Sequence, residues 1–320
     1  MADQLSEAQF RALYQRLRAR PGWGPRDRRG ALNYLTPDLV AAACQQVRLG
    51  RSVSLASPLE DTAGPDNPEP LTHEMTGPAR ARRHAPAEEE PFDERAAPGL
   101  AFAMDRFCMN VHGDAASHLD ALCHVIFDGR LYNDVPSDRI TAEGAGAESI
   151  ETARDGITGR GVLLDIPRLR GAAWLEPGDH VTADELAAAE AAQGVRVGRG
   201  DLLMVRVGHR RRRNELGPWD AAARRAGLHP TALEFVAERE VAVLGSDGNN
   251  DTAPSAAAGV DFPVHVLAVN ALGMHLLDYL QFEGLVPVCE SAGQWSFLCV
   301  IAPLRLPGGT GSPVNPLAIL

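Results

Sequence analysis

The chain of 320 residues contains no lysine; all 31 of its basic side chains are arginine. That removes every mechanism needing a reactive side-chain amine, including Schiff-base aldolases, pyridoxal phosphate enzymes and the P-loop lysine. No G-x-G-x-x-G occurs, so a standard dinucleotide fold has no support, and the lack of G-x-S-x-G weakens a serine hydrolase of the α/β type. No stretch approaches the ~18 consecutive apolar residues of a membrane span. Cys44, Cys108, Cys123, Cys289 and Cys299 are an odd number without a C-x-x-C pair, which argues against a disulfide framework and for a reducing compartment. The opening segment carries acids and lacks an apolar centre, so it reads as no secretory signal and a cytoplasmic location is expected. A net charge of −11 disfavours nucleic acid as a partner, because phosphate binding needs a basic face. A small molecule is the expected partner instead. Arg210–Arg213 is a local exception that could clamp an anion, although such a run reads more readily as a solvated loop.

What is present is ample apolar material: 45% of residues are hydrophobic and 23% charged. Residues 3–20 have helical composition, with Phe10, Leu13, Tyr14 and Leu17 spaced for one apolar face. A second helix is expected over 37–47, with Thr36 as its N-cap and Pro37 in the first turn. Residues 51–55 alternate like a strand. From 57 to 98 the chain is rich in Pro, Gly and Glu and reads as a long loop, a lid or a subunit contact. The core is expected from Gly99, with Leu100 to Val111 as a buried strand. Further strands are expected at 161–166, 201–208, 241–245 and 297–302, and helices at 182–192, 230–239 and over the apolar stretch from Pro263 to Leu280. Helices alternating with short apolar strands indicate α/β with a mixed sheet. The expected organisation is an N-terminal helical arm over 1–56, a loop or lid over 57–98 and a core over 99–320.

The most informative stretch is His118-Leu-Asp120-Ala-Leu-Cys-His124, with His112 and Asp114 just upstream. Imidazole nitrogen plus carboxylate oxygen is the donor set that holds Zn, Mn or Fe. On an extended segment, the two-residue spacing sends His118 and Asp120 to the same face, and a turn after Asp120 could bring His124 round to the same point. The alternative is two buried histidines and a capping Asp. A catalytic ion takes about three protein ligands, so more donors are needed. His265, His275 and Asp278, inside an otherwise apolar stretch, are the candidates; on a helix His275 and Asp278 would share a face.

The His118-x-Asp120-x3-His124 cluster resembles the signature H-x-G-T-H-x-D-x-P-x-H of the cyclase family of metal-dependent hydrolases, which includes bacterial kynurenine formamidase (arylformamidase) and isatin hydrolase. The blocks Trp23–Asp27, Gly30–Asn33, Asp128-Gly, Tyr132-Asn133, Gly245–Gly248, Pro263–His265 and Pro303–Pro313 are similar to family blocks as well. The resemblance implies that His118 and Asp120 bind metal, that His124 moves the proton, and that His265 and Asp278 stand at the distal ligand positions. It also implies a swivelling β/β/α-type fold, assembled as a homo-oligomeric dimer or tetramer. This chain departs from the signature in four places: Asp114 stands for the first His, Ala116-Ser117 for Gly-Thr, Leu122 for Pro and Asp278 for the distal Glu. The carboxylates at 114 and 278 favour Mn or a single ion over two zincs.

The function expected from this is hydrolysis of a small amide, lactam or ester, with a metal-bound hydroxide attacking the carbonyl and His124 as proton shuttle. His118 and Asp120 with Asp114 or His265 are expected to hold the ion, Asp278 is the implied distal ligand, and the choice between Asp114 and His112 as a ligand stays open. Ser117 is a candidate to orient a ligand or to donate to the oxyanion, and Trp23 and Trp219 to wall an aromatic pocket. The alternatives are a metal-dependent cyclase or dehydratase of secondary metabolism, and a non-catalytic metal- or metabolite-binding homologue. A thiol mechanism through Cys123 is disfavoured, since in an extended segment it points away from its neighbour His124.

Overall fold

Apolar runs of the second half form the spine of the molecule. The computed structural model describes residues 4–20, 22–76 and 102–320. Its strands are β1 (Ser52–Ser54), β2 (Thr72–Met75), β3 (Asp105–Cys108), β4 (His118–Asp120), β5 (Ile140–Thr141), β6 (Gly144–Ala145), β7 (Ile157–Asp165), β8 (His180–Val181), β9 (Leu202–Arg206), β10 (Gly227–Leu228), β11 (Val243–Ser246), β12 (His275–Asp278), β13 (Ser296–Ile301), β14 (Gly311–Pro313) and β15 (Leu317–Ile319). One mixed sheet has the order β1-β15-β13-β7-β9-β11-β12-β4-β14. Within it β7, β9, β11 and β12 are parallel neighbours, and the flanking pairs are antiparallel. The expected mixed α/β single domain is what the chain forms.

The parallel centre is covered on both faces, so its strands are continuous apolar runs and not alternating ones. Side-chain period two still sorts them: Leu203 and Val205 of β9 join one core cluster, and Leu202 and Met204 the other. Onto the first cluster packs the helix Glu7–Arg18, which buries Phe10, Leu13, Tyr14 and Leu17 as their spacing predicts. Ser6 and Gln9 cap its start reciprocally. Thr36 caps Pro37–Ala43, which ends earlier than expected in a 3₁₀ turn over Cys44–Gln46. Thr182 and Glu185 form the expected capping box of Ala183–Gln193.

Three expectations need correction. The apolar stretch Pro263–Leu280 is not one helix. Helical turns cover Pro263–Ala271, as Pro263–His265 and a π-helical segment Val266–Ala271, and the chain then extends into β12. Gly273 makes the break, with φ of +64° and the Tyr132 ring packed where a Cβ would lie. Parallel pairing with β11 outcompetes helix propensity beyond it. Second, the described part of Leu100–Val111 holds no buried strand. Among the described residues β3 is exposed and pairs only with β2, as a two-stranded ribbon. The start expected at Gly99, and residues 77–98 of the expected loop or lid, lie outside the described residues. Third, the arginine run is the helix His209–Leu216 and not a solvated loop. Arg210 is buried and donates to the carbonyls of Ala115 and Tyr279, while Arg213 grips Glu60 and Asp66.

Candidate metal centre

β4 is the three-residue segment His118-Leu-Asp120, fully buried between β12 and β14. Extended backbone puts His118 and Asp120 on one face, and the antiparallel register sets Asp278 directly opposite His118. The result is a compact group: His118 Nε2 lies 3.6 Å from Asp120 Oδ1 and 3.9 Å from Asp278 Oδ2. His265 enters from the first turn of its helix, with Nε2 3.3 Å from Asp278 Oδ2 and 3.5 Å from Asp120 Oδ2. All four side chains are buried.

Neighbours fix the orientation of each donor. Nδ1 of His118 donates to the Ala116 carbonyl at 2.8 Å, which leaves the Nε2 lone pair free in the neutral ring. Nδ1 of His265 lies 2.6 Å from Asp251 Oδ2, and the same carboxylate accepts the main-chain N–H groups of Val264 and His265. Asp278 accepts from Asn249 at 3.1 Å and from Asn250 at 2.6 Å. Asn249, Asn250 and Asp251 went unread in the sequence, although they directly follow the Gly245–Gly248 block.

A second group shares Asp120. His112 Nδ1 lies 2.9 Å from Asp120 Oδ1, with its Nε2 2.9 Å from Thr310 Oγ1. The His124 ring stacks on His112 at 3.6 Å and 8°. Ligand atoms of His112, Asp120 and His124 lie within 4.8 Å of one another, as do those of His118, Asp120 and Asp278. The turn after Asp120 thus returns His124 to the cluster. His112 stands there too, where the sequence offered a choice between it and Asp114. Asp114 instead accepts from the Tyr279 hydroxyl at 2.5 Å and belongs to neither ligand group.

Other expected site residues stand elsewhere. The Ser117 hydroxyl donates to the Tyr279 carbonyl at 2.6 Å and accepts from the Ser57 N–H, so it has no proton left for an oxyanion. Trp23 packs edge-on against Tyr34 and lines a cavity of about 420 Å³ that contains none of the clustered side chains. Trp219 lies 4.6 Å from the His209 ring. His275, at the far end of β12 from Asp278, turns to Thr152 and is outside both ligand groups. Burial pushes the Cys123 thiol up to about 12, which leaves it inert.

The electrostatics suit a cation. Burial opposes ionisation of Asp120, yet His124, His112, His265 and His118 together hold its carboxyl well below the usual range. Burial likewise opposes a proton on His265, and the carboxylates of Asp278, Asp120 and Asp251 overcome it, so without a cation this ring holds a proton. Burial, with the three neighbouring imidazoles, pushes His124 down to about 4, so it stands as a neutral base at pH 7. Asp120 Oδ2 is fully buried and has no hydrogen-bond partner. Without a cation the protonated His265 Nε2, 3.5 Å away, is the positive group that faces this oxygen, and a bound ion would take over that role. Two imidazoles and two carboxylates around it fit a divalent ion of the Zn or Mn kind.

A mixed α/β domain in which buried imidazoles and carboxylates converge has a ligand set that could hold a divalent ion. The family model described as Putative cyclase matches residues 53–250, and the chain belongs to that family. A crystal structure described as a novel cyclase is 30% identical over 93% of this chain and 96% of its own, with a TM-score of 0.80. Isatin hydrolase A from Labrenzia aggregata is 23% identical, covering 90% of this chain and 98% of its own, with a TM-score of 0.57. Isatin hydrolase A from Ralstonia solanacearum is also 23% identical, covering 84% and 91%, with a TM-score of 0.55. These last two share the fold. No curated protein matches at a significant level. No helix among the described residues is long and apolar enough to cross a membrane.

Proposed function

We propose that this protein is a metal-dependent hydrolase of a small amide, lactam or ester. The observation that carries the reading is Asp120 Oδ2, buried without a hydrogen bond beside His118, His265 and Asp278, where outward-turned Nδ1 atoms leave both imidazole Nε2 atoms facing the carboxylates. These four residues would hold the ion. When bound, it supplies Lewis acidity that polarises a carbonyl and lets water ionise near neutral pH. Everything else is the work of the chain's own groups. Asp251 and the Ala116 carbonyl hold the two imidazoles in the donor tautomer, and Asn249 and Asn250 aim Asp278. His124, neutral and stacked on His112, takes the proton from water and passes it to the leaving nitrogen or oxygen, a role worth ~10²–10⁴ in rate. The names of the structural relatives support hydrolysis of a cyclic amide, and the 30%-identical cyclase keeps ring closure as the second reading.

Elemental analysis of the purified protein, chelation and a panel of aryl formamides, lactams and esters test the proposal together. Zinc or manganese should copurify, chelation should abolish turnover, and the added ion should restore it. In the His124→Ala protein the metal should stay while turnover falls at least a hundredfold. Turnover that survives thorough chelation ends the reading. Consumption of a linear substrate with release, not uptake, of water points to the cyclase instead.

A further inference from the structure

The helix Glu7–Arg18 is far from the ligand set in sequence, yet it grips the loop on which His124 stands. Phe127 of that loop packs against Phe10 at 6.0 Å and Tyr14 at 5.0 Å between ring centroids. Arg11 pairs with Asp128 at 2.9 Å, and Arg18 pairs with Asp134. These ion pairs are solvated and hold little. The buried link is Asn270. Its Nδ2 donates to the carbonyls of Val125 at 3.1 Å and Arg130 at 2.9 Å, and its Oδ1 accepts from the Tyr14 hydroxyl at 2.8 Å. Carbonyls only accept, so Nδ2 must face the loop, and the Tyr14 proton must then point to Oδ1. Val125 is the residue after His124, and the His124 N–H is itself tied back to the Ala121 carbonyl at 3.0 Å. The turn is therefore pinned on both sides of the imidazole.

The π-helical segment explains how one helix serves both tasks. His265 and Asn270 are five residues apart, which on an α-helix separates them by roughly 140°. The wider π turn over Val266–Ala271 brings residues five apart much closer in angle than an α-helix does. His265 then meets the carboxylates while Asn270 meets the loop.

We infer that Asn270, oriented by Tyr14, is a positioning residue for His124: it sets the loop, and through it the place of the imidazole against His112 and Asp120. The inference rests on the proposed hydrolase reading for the part His124 plays in turnover, but not for the clamp itself. Four proteins test it: Asn270→Ala, Tyr14→Phe, His124→Ala and the double variant Asn270→Ala/His124→Ala. Each is assayed for kcat and KM on the best substrate of the panel, for metal per chain, and for hydrogen exchange over 124–134. Asn270→Ala should lower kcat roughly tenfold or more, with KM and metal content unchanged, and speed exchange in that segment by a similar factor. Tyr14→Phe, which keeps the ring packing on Phe127, should move both the same way by less, and it carries the test alone if Asn270→Ala fails to fold. In the His124→Ala background the Asn270 change should cost nothing more, because both act through one group. Losses that multiply in the double variant, or exchange over 124–134 that neither single variant alters, overturn the inference. Full turnover in His124→Ala alone instead defeats the shuttle reading, and exchange then decides on the clamp by itself.

Discussion

Replacing Asp251 by Asn is the sharpest probe of the centre, because the side chain has three donors to satisfy and no slack. Oδ1 accepts the Val264 N–H at 2.7 Å; Oδ2 accepts the His265 N–H at 3.0 Å and faces His265 Nδ1 at 2.6 Å. An amide has one acceptor oxygen, so its NH₂ must face an N–H whichever way it turns. Turned with oxygen toward His265, it orphans the Val264 N–H, at a cost of about 1–3 kcal/mol; turned the other way it orphans the His265 main-chain N–H and also sets its NH₂ against the ring Nδ1–H. The first arrangement wins and keeps the imidazole tautomer, but the ring loses its charged partner. Partners of this kind are worth 10–100-fold in metal affinity, about 1.4–2.8 kcal/mol. Equilibrium dialysis with Zn and Mn on the folded Asp251→Asn protein measures this directly. Affinity within twofold of the wild type, alongside a lowered Tm, would show that Asp251 merely caps a helix and that His265 is not a ligand.

Two further outcomes concern stability. Glu148 is buried with neither oxygen hydrogen-bonded; burial raises its pKa to about 8, against Arg28 and with help from Asp27. A carboxyl whose folded value is raised stabilises fully below the unfolded value near 4.5 and loses that contribution as pH climbs to about 8. Urea melts of Glu148→Gln should lack this decline, so the variant gains on the wild type between pH 5 and 8; parallel profiles would refute the assignment. Separately, a Cβ on Gly161 would meet the Phe297 ring at 2.2 Å across the β7/β13 ladder. Gly161→Ala should cost about 1–3 kcal/mol, and Phe297→Leu in the same chain should return part of it; no rescue would mean the backbone, not the ring, sets the loss.

Much of the molecule is legible from residues alone. Continuous apolar runs such as Gly161–Ile166 and Asp201–Gly208 announced strands buried on both faces, and Phe10, Leu13, Tyr14 and Leu17 announced a helix face. His118 and Asp120 lie on an extended segment, where their spacing puts them on one face, and His124 returns by a turn. What misled was Pro263–Leu280, whose unbroken hydrophobicity suits a buried helix and a buried strand equally, so that only Gly273 carried the boundary. That error put His275 beside Asp278 when a strand sends them to opposite faces. Asn249, Asn250 and Asp251 were invisible for another reason: they carry no periodicity, and their partners His265 and Asp278 come from elsewhere in the chain. The same holds for Arg210, whose burial depends on carbonyls of Ala115 and Tyr279 that only the fold supplies.

β4 is only three residues long, and its alignment with β12 sets His118 against Asp278. A slip by a single position would present Leu277 or Tyr279 there and turn the carboxylate to the opposite side of the sheet. A short ladder of so few hydrogen bonds discriminates weakly between neighbouring alignments, whereas an ion held as proposed would favour the one that assembles its ligands. Metal binding would then proofread the pairing of two segments that lie more than a third of the chain apart.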